Sequence, residues 1–421
     1  MFASPSFVER KIEKKWTTKE KIKLAKTHRV KRKVFEENFT SKMIKDVKTA
    51  PDGKSIVFTS LGHIYKKALP NGTPKRITNL TDFEAEPNFS PDGKSILFVT
   101  WNDAELGAVY KVNLNGSNLK KLTTVKGIYR TPAFNNSGSK IVYRKEGGNG
   151  DQGFDYSVNT GIYIANINGK NAKKIADNGE FPQFSADNKR IFFQTGGSFM
   201  GGLTKRLQSV DLNGKNQKSH FVSKLANRLV PSKDNKWISF IHLHKLYIAP
   251  MVLNGSEINL DGNTKSIHVE SLSKNAGINL HWSFSNDKVH WTLGDAYFSK
   301  SIVNNTTNPF ANSNVIAGEN TGIKIGLTAK SDVPNGRIAF TNARLITMKG
   351  NQVIENGTIV VYKNKIEKIG KYITAQEGKL SNERFVSRAP EEIVAAEKGK
   401  LEDARNTLGK LQEGYDRIAA M

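Results

Sequence analysis

The feature that most constrains this chain is a short phrase that returns six times. APDGKSIVFTS at 50–60 recurs as SPDGKSILFVT at 90–100, and weaker copies follow at 135–145, 185–195, 231–241 and 283–293. Their turn positions are Asp52, Asp92, Ser137, Asp187, Asp234 and Ser285, at intervals of 40, 45, 50, 47 and 51 residues. A strand-rich repeat of about 40–50 residues is typical of one propeller blade, which contains about four strands. The sequence therefore predicts a mainly β fold, with a six-bladed propeller over residues 44–300.

Each copy carries its own strand and turn signals. Asp-Gly, as at Asp52-Gly53, suits a tight hairpin turn because both residues tolerate positive φ. An alternating strand follows, then a second strand with an aromatic residue such as Tyr65, then an Asn-Gly turn such as Asn115-Gly116. One blade cannot bury both of its faces alone, whereas six in a ring bury one another and protect most strand edges.

The composition excludes several kinds of protein. The 421 residues contain no cysteine, which rules out disulfides, thiolate metal sites and a cysteine nucleophile. No apolar stretch approaches the ~20 residues that a membrane helix needs, so no membrane partner is expected. The opening MFASPSFVERKIEKKW lacks the charged-then-apolar order of a secretory signal. The location stays open, with the cytoplasm favoured.

The charge is strongly positive and unevenly distributed. The formal net charge is +25, and residues 1–33 hold 12 Lys or Arg against 3 Glu. Runs of this kind usually repel one another and stay open, so we expect a solvated basic arm over residues 1–43. The alternative is that this arm contacts a nucleic acid, which a concentrated basic face would favour.

The repeat has a family resemblance. SPDGKSILF, the YKVNLNGSN segment at 110–118 and the closer KKLT resemble TolB-type propellers. The resemblance implies a binding module that takes a protein, peptide or small-molecule ligand at its rim or in its central channel. Loops on a rigid scaffold are the usual place for such sites.

A second piece follows a polar linker at 301–320. Residues 321–374 read as alternating strands, in which AFTNARLIT and ENGTIVV resemble the small β-sandwich that opens metal-dependent amidohydrolases. That resemblance implies hydrolysis of amide-type C–N bonds with a divalent metal such as zinc in the parent family. The barrel and its downstream ligands are not seen here, since all eight histidines lie at or before His290. We therefore expect no cofactor and no catalytic residue in this chain, and a relative that is inactive alone.

Two sets of residues are candidates for an enzyme site in the propeller. His242 and His244 form a His-x-His pair, which on a strand would place both imidazoles on one face. A zinc site needs three or four protein ligands, so a structural role is favoured for both. The acids Glu84, Glu86, Asp151 and Asp155 are scattered, with no visible order of nucleophile, base and orienting group.

The tail, 379–421, differs from everything before it. Pro390 followed by two glutamates predicts a helix start, and an apolar seam begins at Val394, so either a paired coiled coil or a packing helix is expected. KLSNERFVSRAPEEIVAAEK resembles the C-terminal arm of valyl-tRNA synthetases, which implies tRNA contacts without aminoacylation. The implied contact residues are Lys379, Arg384, Arg388, Lys398, Lys400 and Arg405.

The two resemblances meet near 374–379, and whether this junction is natural, engineered or an assembly error stays open. Two functions follow. The first is an amidohydrolase-type protein that acts as a propeller binding module, and the second is association with tRNA through the tail and the basic arm.

Overall fold

The computed structural model describes residues 36–147, 158–197, 202–302, 322–332, 336–346, 350–362, 365–367 and 379–402. The chain divides into two compact units. One unit is Phe39–Ala329, and the other combines Met1–Asn38 with Lys330–Met421. No helix in the described part of the chain has the length and apolar character needed to cross a bilayer.

The first unit is the propeller, which contains six sheets. In each sheet four antiparallel strands lie side by side in the order in which they occur in the chain. Blade 1 consists of β2 (Lys45–Thr49), β3 (Ser55–Ser60), β4 (His63–Ala68) and β5 (Lys75–Arg76). Blade 2 consists of β6 (Phe83–Phe89), β7 (Ser95–Asn102), β8 (Leu106–Asn113) and β9 (Lys120–Lys121). Blade 3 consists of β10 (Ile128–Phe134), β11 (Lys140–Glu146), β12 (Gly161–Asn166) and β13 (Lys173–Ala176). Ahead of them, β1 (Asn38–Thr40) pairs with β27 (Thr328–Lys330).

Blades 4 to 6 follow the same plan. Blade 4 contains β14 (Glu180–Phe184), β15 (Arg190–Gly196), β16 (Lys205–Asp211) and β17 (Lys218–Ser223). Blade 5 contains β18 (Ala226–Pro231), β19 (Trp237–His242), β20 (Lys245–Pro250) and β22 (Glu270–Ser271). Blade 6 contains β23 (Ile278–Trp282), β24 (Lys288–Leu293), β25 (Ala296–Ser301) and β26 (Ile323–Lys324). Blade 4 gains a fifth strand, β21 (Ile258–Asn259), which runs parallel to β17.

The hydrophobic core lies between neighbouring blades rather than at the centre. Between blades 1 and 2, for example, Val57 and Ile64 pack against Phe89, Ile96 and Phe98. Six such clusters join the six pairs of neighbours in the described residues, including the pair formed by blades 6 and 1. The predicted six-bladed ring is therefore confirmed, because each blade buries one face against each neighbour.

The turn of the repeat differs in detail from the tight hairpin that the sequence analysis expected. Asp52 does not adopt positive φ; its carboxylate accepts a 2.9 Å hydrogen bond from the Lys54 amide instead. The residue after each turn position takes the left-handed conformation, namely Gly53, Gly93, Gly138, Asn188, Asn235 and Asn286, with φ between 56° and 72°. The loop is longer than two residues, which lets the aspartate cap its own turn.

The identity of this left-handed residue varies with the blade before it. Asn188 accepts a 3.0 Å hydrogen bond from the Asn136 amide of blade 3, and Asn286 accepts a 2.8 Å bond from the Lys233 amide of blade 5. In blade 2 the left-handed residue is Gly93, and a Cβ there would meet the Pro51 ring of blade 1 at 3.3 Å. Pro51 has no backbone N–H, so an asparagine at position 93 would find no amide donor there, and glycine loses no hydrogen bond.

The outer edge of blade 6 corrects one predicted boundary. Residues from 321 onward were expected in the sandwich piece, yet Ile323 and Lys324 pair with Tyr297 and Ala296. Strand β25 would otherwise expose a row of unpaired backbone groups, so the propeller takes its last strand from beyond residue 300. The other predicted boundaries stay predictions.

The ring is closed by polar as well as apolar contacts between blades 6 and 1. The Thr49 amide donates to His281 Nε2 at 3.1 Å, and the Thr49 hydroxyl lies 2.8 Å from both His281 Nε2 and the Tyr297 hydroxyl. The Tyr297 hydroxyl lies 2.7 Å from His290 Nδ1. Burial, and next the charge of His290, lowers the pKa of His281. Burial, and next the charge of Lys288, lowers the pKa of His290 to about 4. Both imidazoles are therefore neutral near pH 7.

The second unit contains a three-stranded antiparallel sheet and helical segments. The sheet consists of β28 (Arg337–Ile346), β29 (Val353–Tyr362) and β30 (Lys365–Glu367). Helix α1 (Glu383–Val386) is capped by Asn382, whose side chain accepts from the Arg384 amide at 3.1 Å. A further helix covers 391–402, and the Pro390 carbonyl accepts from the Ile393 and Val394 amides, so the predicted start is confirmed. The seam beyond 402 lies outside the described residues.

Candidate functional site

The innermost strand of every blade breaks its register at nearly the same place. In blade 1 the pairing with β3 shifts between Lys45 and Lys48, and four other inner strands shift at the equivalent residues; in blade 5 the shift comes slightly earlier, between Ala226 and Arg228. The residues six positions before each turn position are Asp46, Glu86, Thr131, Phe181, Arg228 and Asn279. All six line one cavity of about 320 Å³ at the centre of the ring. A bulge bends its strand and redirects a side chain, which explains how these residues reach the axis.

The cavity continues into the ring. A second cavity of about 110 Å³ is lined by residues that include Lys233 and His281, and it shares Lys48, Asn88 and Gln183 with the first. The two cavities therefore adjoin along the axis of the ring, and we call them together the central channel; Arg228 lines the larger cavity, Lys48 lines both and Lys233 lines the smaller.

One side of the channel rim is a chain of hydrogen bonds between blades. The Asn279 side chain accepts from the Asp46 amide at 2.9 Å, and the Asp46 carboxylate accepts from the Glu86 amide at 3.3 Å. The Glu86 carboxylate in turn accepts from the Thr131 amide. We call Asn279, Asp46, Glu86 and Thr131 the linked side, because each is joined to a neighbouring blade by one of these hydrogen bonds.

The linked side continues into a row of ion pairs. Glu86 binds Arg130 with a closest distance of 2.7 Å, and Arg130 also contacts Glu146 at 3.2 Å. Further along, Arg144 lies 3.5 Å and Lys205 2.9 Å from the Glu180 carboxylate. Burial of Glu180 opposes its ionisation, but the hydrogen bond and charge of Lys205, together with Arg144, lower its pKa. The acids of this row are thus all occupied by cations.

The opposite side of the rim is built differently. The Arg228 guanidinium carbon lies 3.3 Å from the ring centroid of Phe181, a cation–π contact between blades 5 and 4. Among the described residues the guanidinium makes no ion pair and no hydrogen bond. Burial lowers the pKa of Arg228, although a guanidinium stays charged at neutral pH. We call Phe181 and Arg228 the cationic side.

Two lysines extend this positive charge along the axis. The Lys233 ammonium lies 3.9 Å from the ring centroid of Phe284, and burial lowers the pKa of Lys233 to about 8. Burial, and next the charge of Arg228, lowers the pKa of Lys48 to about 8. Neither ammonium has an ion-pair or hydrogen-bond partner within the described ranges. The channel can therefore bind ligands through cations that have not been neutralised by contact.

The residues singled out earlier for an enzyme do not come together here. His242 ends strand β19, whereas Leu243 and His244 form the turn, with φ of 47° and 68°. The expected placement of both imidazoles on one strand face is corrected, because the chain reverses between them. In the part of the chain that the structure describes, no group of three or more His, Asp or Glu residues has the geometry of a metal site.

The two candidate glutamates have different environments. Glu84 is fully buried and accepts hydrogen bonds from the Ile64 amide, at 3.2 Å, and from the Thr78 hydroxyl, so it ties blade 2 to blade 1. Glu86 belongs to the linked side of the rim. Asp151 and Asp155 lie outside the described residues.

The candidate tRNA contacts lie in the second unit. Lys379 and Lys400 both approach the Glu397 carboxylate, at 3.6 Å and 2.9 Å. The side chains of Arg384, Arg388 and Lys398 are exposed. Arg405 lies outside the described residues.

The sequence analysis missed the cations of the channel. Lys48, Arg228 and Lys233 stand four, six and one positions before the turn positions of their blades. The first two offsets fall on the inner strands and line the central cavities in all six blades, whereas Lys233 lies in the turn that follows β18. The signal for them in the sequence is the residue type at each fixed offset across the six copies.

Two family models match this chain. The model described as the TolB beta propeller domain matches residues 18–237, which is more than half of the sequence. The chain belongs to that family. The matched range starts well before blade 1, inside the predicted basic arm, and the structure continues the TolB-type propeller beyond it to Lys324.

The second model, described as the valyl tRNA synthetase tRNA binding arm, matches residues 362–419. The valine--tRNA ligase of Chlorobaculum tepidum is 52% identical to this chain over 57 residues. That match covers 14% of this chain and 6% of the ligase, so this chain spans only a small part of the ligase's length. The matched range begins at residue 362, ahead of the predicted tail at 379.

Three solved structures illustrate the similarity of the backbone fold to known proteins. An oligogalacturonate lyase in complex with manganese has a TM-score of 0.44 at 10% identity, with 62% of this chain and 78% of that one covered. TolB from Acinetobacter baumannii has a TM-score of 0.41 at 20% identity, covering 56% and 55%. Kuenenia stuttgartiensis hydrazine synthase has a TM-score of 0.43 at 12% identity, covering 62% and 83%. Similarity of this degree carries no inference about activity.

Proposed function

We propose that this protein is a binding module whose propeller receives a ligand in its central channel. The observation that supports this most directly is the pair of adjoining central cavities, whose walls present Lys48, Arg228 and Lys233 without a contacting acid among the described residues. Buried cations without partners are costly to a fold, and a ligand that reaches them offsets this cost. A rim tied together by Asp46 and Glu86 gives the site a fixed shape.

We also propose that the propeller and the three-stranded sheet derive from a metal-dependent amidohydrolase. The segments that carry the resemblance, AFTNARLIT and ENGTIVV, fall on β28 and β29, as an opening strand pair requires. The residues present do not fit the zinc ion of that family, since His242 and His244 diverge and the described part of the chain offers no third ligand beside them. On this proposal the module binds, and it performs no hydrolysis through these residues.

Ligand entry can be tested by closing the channel. Asn88 lines both cavities, so the Asn88→Trp variant would block the passage, whereas Asn88→Ala leaves it open. A random tetrapeptide library is panned on wild type and on both variants, after thermal melts confirm that each is folded. We expect peptides that are enriched on wild type and on Asn88→Ala and lost on Asn88→Trp. Equal enrichment on all three proteins would contradict ligand entry into the channel.

The second candidate function is tRNA association through the tail. It is favoured by the match of residues 362–419 to the valyl tRNA synthetase arm, together with the exposure of Arg384, Arg388 and Lys398. Phosphate contacts weaken linearly with the logarithm of salt concentration, by a slope of roughly 0.7–0.9 per contact. Replacing these three residues by Gln should therefore reduce the slope of tRNA binding by roughly 2.

The matched control removes exposed lysines from the propeller. Lys120 and Lys121 form the short outer strand of blade 2 and are both exposed. Their replacement by Gln should leave the salt slope of a tRNA filter-binding assay unchanged. An equal loss in both sets would show that net charge, rather than the arm, attracts the tRNA.

A further inference from the structure

We propose that the central channel recognises carboxylate groups, and that its ligand is an acidic peptide segment or a small polycarboxylate. This inference rests on the proposed function and names the chemistry of the ligand. The argument uses the charges of the channel, the way the cations are held and the amide beside them.

The acids that face the channel are already engaged. Glu86 binds Arg130 at 2.7 Å and accepts from the Thr131 amide, and Asp46 accepts from the Glu86 amide. Arg228, Lys48 and Lys233 have no such contact in the described part of the chain. The uncompensated charge of the channel is therefore positive, and it is spread over both cavities rather than confined to the rim.

Two of the cations are held by an aromatic face. Phe181 supports the Arg228 guanidinium at 3.3 Å, and Phe284 supports the Lys233 ammonium at 3.9 Å. A guanidinium that stacks on a ring keeps the N–H groups at its edge free, and that edge matches the two oxygens of a carboxylate. The aromatic contact thus orients Arg228 without using its hydrogen-bond donors.

Lys48 joins the two parts of the channel. It lines both cavities together with Asn88, whose side chain has no hydrogen bond to any described residue. An ammonium next to an amide N–H₂ supplies several donors at one level of the channel. Arg228 lines one of these cavities and Lys233 lines the other, so all three cations face the central space of the ring.

The test measures carboxylate binding to the full chain by calorimetry at pH 7. The probes are the capped peptide acetyl-Glu-Asp-Glu-amide, its uncharged analogue acetyl-Gln-Asn-Gln-amide, citrate and inorganic phosphate. The variants are Lys48→Met and, as a matched control, Lys54→Met, which removes an exposed lysine from the turn of the same blade. We expect the acidic peptide or citrate to bind wild type and Lys54→Met equally, and Lys48→Met about tenfold more weakly, because a charge-assisted hydrogen bond is lost.

The outcomes separate this inference from the proposed function. If both acidic probes bind, the ligand is any polycarboxylate of sufficient size, and if only the peptide binds, the amides of its backbone are also read. If the uncharged peptide or phosphate binds and both carboxylate probes fail, ligand entry is supported and the inference is overturned. If the Asn88→Trp variant leaves binding of every probe unchanged, both proposals fail. Equal binding by Lys48→Met and Lys54→Met would also overturn the inference.

Discussion

The two sides of the channel rim solve the same structural problem in different ways. On the linked side, the side chains of Asn279, Asp46 and Glu86 each accept a hydrogen bond from a backbone amide of the next blade, and Glu86 also forms an ion pair with Arg130. On the cationic side, Arg228 rests on Phe181 and keeps its donors uncommitted. Satisfied networks stabilise a fold, whereas unsatisfied buried charge destabilises it and is available to a ligand. The comparison therefore separates residues that hold the ring from residues that serve its ligand.

The largest expected effect concerns the closure that continues from the linked side. His290 is neutral when folded, with a pKa of about 4 against its usual 6.5, so unfolding takes up a proton between those values. Its contribution is complete above about pH 6.5 and falls by about 3 kcal/mol as the pH drops towards 4. Urea unfolding at pH 7 and pH 4.5 should show this loss.

The variant His290→Asn should reduce that difference, because asparagine keeps a polar group near the Tyr297 hydroxyl and does not titrate. His242→Asn, at the partly exposed end of β19, is the matched control and should behave as wild type. A pH difference unchanged in His290→Asn would show that other groups cause it.

A second test breaks the linked side directly. Glu86→Ala removes the partner of Arg130 and the acceptor of the Thr131 amide, so the free energy of unfolding should fall by about 2 kcal/mol. The control Glu105→Ala breaks an ion pair whose two side chains are 60% and 58% exposed, and it should cost about 0.5 kcal/mol or less. Equal costs in the two variants would remove the distinction between a rim network and an ordinary surface pair.

The smallest effect has the opposite sign and concerns the cationic side. Arg228→Met removes a buried cation without a contacting acid, and stability should rise by up to about 1 kcal/mol while carboxylate binding is lost. Arg206→Met, which breaks a 3.1 Å pair with Glu257 on a residue that is 47% exposed, should instead lower stability slightly. A stability loss in Arg228→Met would mean that Arg228 serves the fold, as the linked residues do.

The repeat allowed the blades and the positions of their turns, although not the turn geometry, to be predicted, because these depend on residues close together in the sequence. Gly53 and Asn188 occupy the left-handed position one residue after the turn aspartates, as local turn chemistry requires. The pairing of Ile323 with Tyr297 was not predicted, since nothing local to either residue specifies the other. The prediction that His244 lies on the same strand face as His242 was wrong for a related reason. A strand that ends one or two residues earlier places His244 in the hairpin turn instead, and the local sequence does not fix that end to within one residue.

The channel was within reach of the same reasoning. Asp46, Phe181 and Arg228 occupy one offset in the repeat, and that offset predicts a common ring of side chains. Their chemistry could not be read from it, because the contact of Arg228 with Phe181 depends on how far one blade is rotated against the next. Neighbouring blades bring together residues that are 47 positions apart in this case.

The variation at the left-handed turn residue has a consequence for engineering. Blades that follow a proline carry glycine there, and Asn188 and Asn286 each reach a backbone amide of the blade before them. Copies of this repeat are therefore not all interchangeable, because those that carry Asn188 and Asn286 are fitted to the blade before them. A consensus array built from the Asp-Gly of the first two copies would form its turns correctly and lose these fastenings between blades.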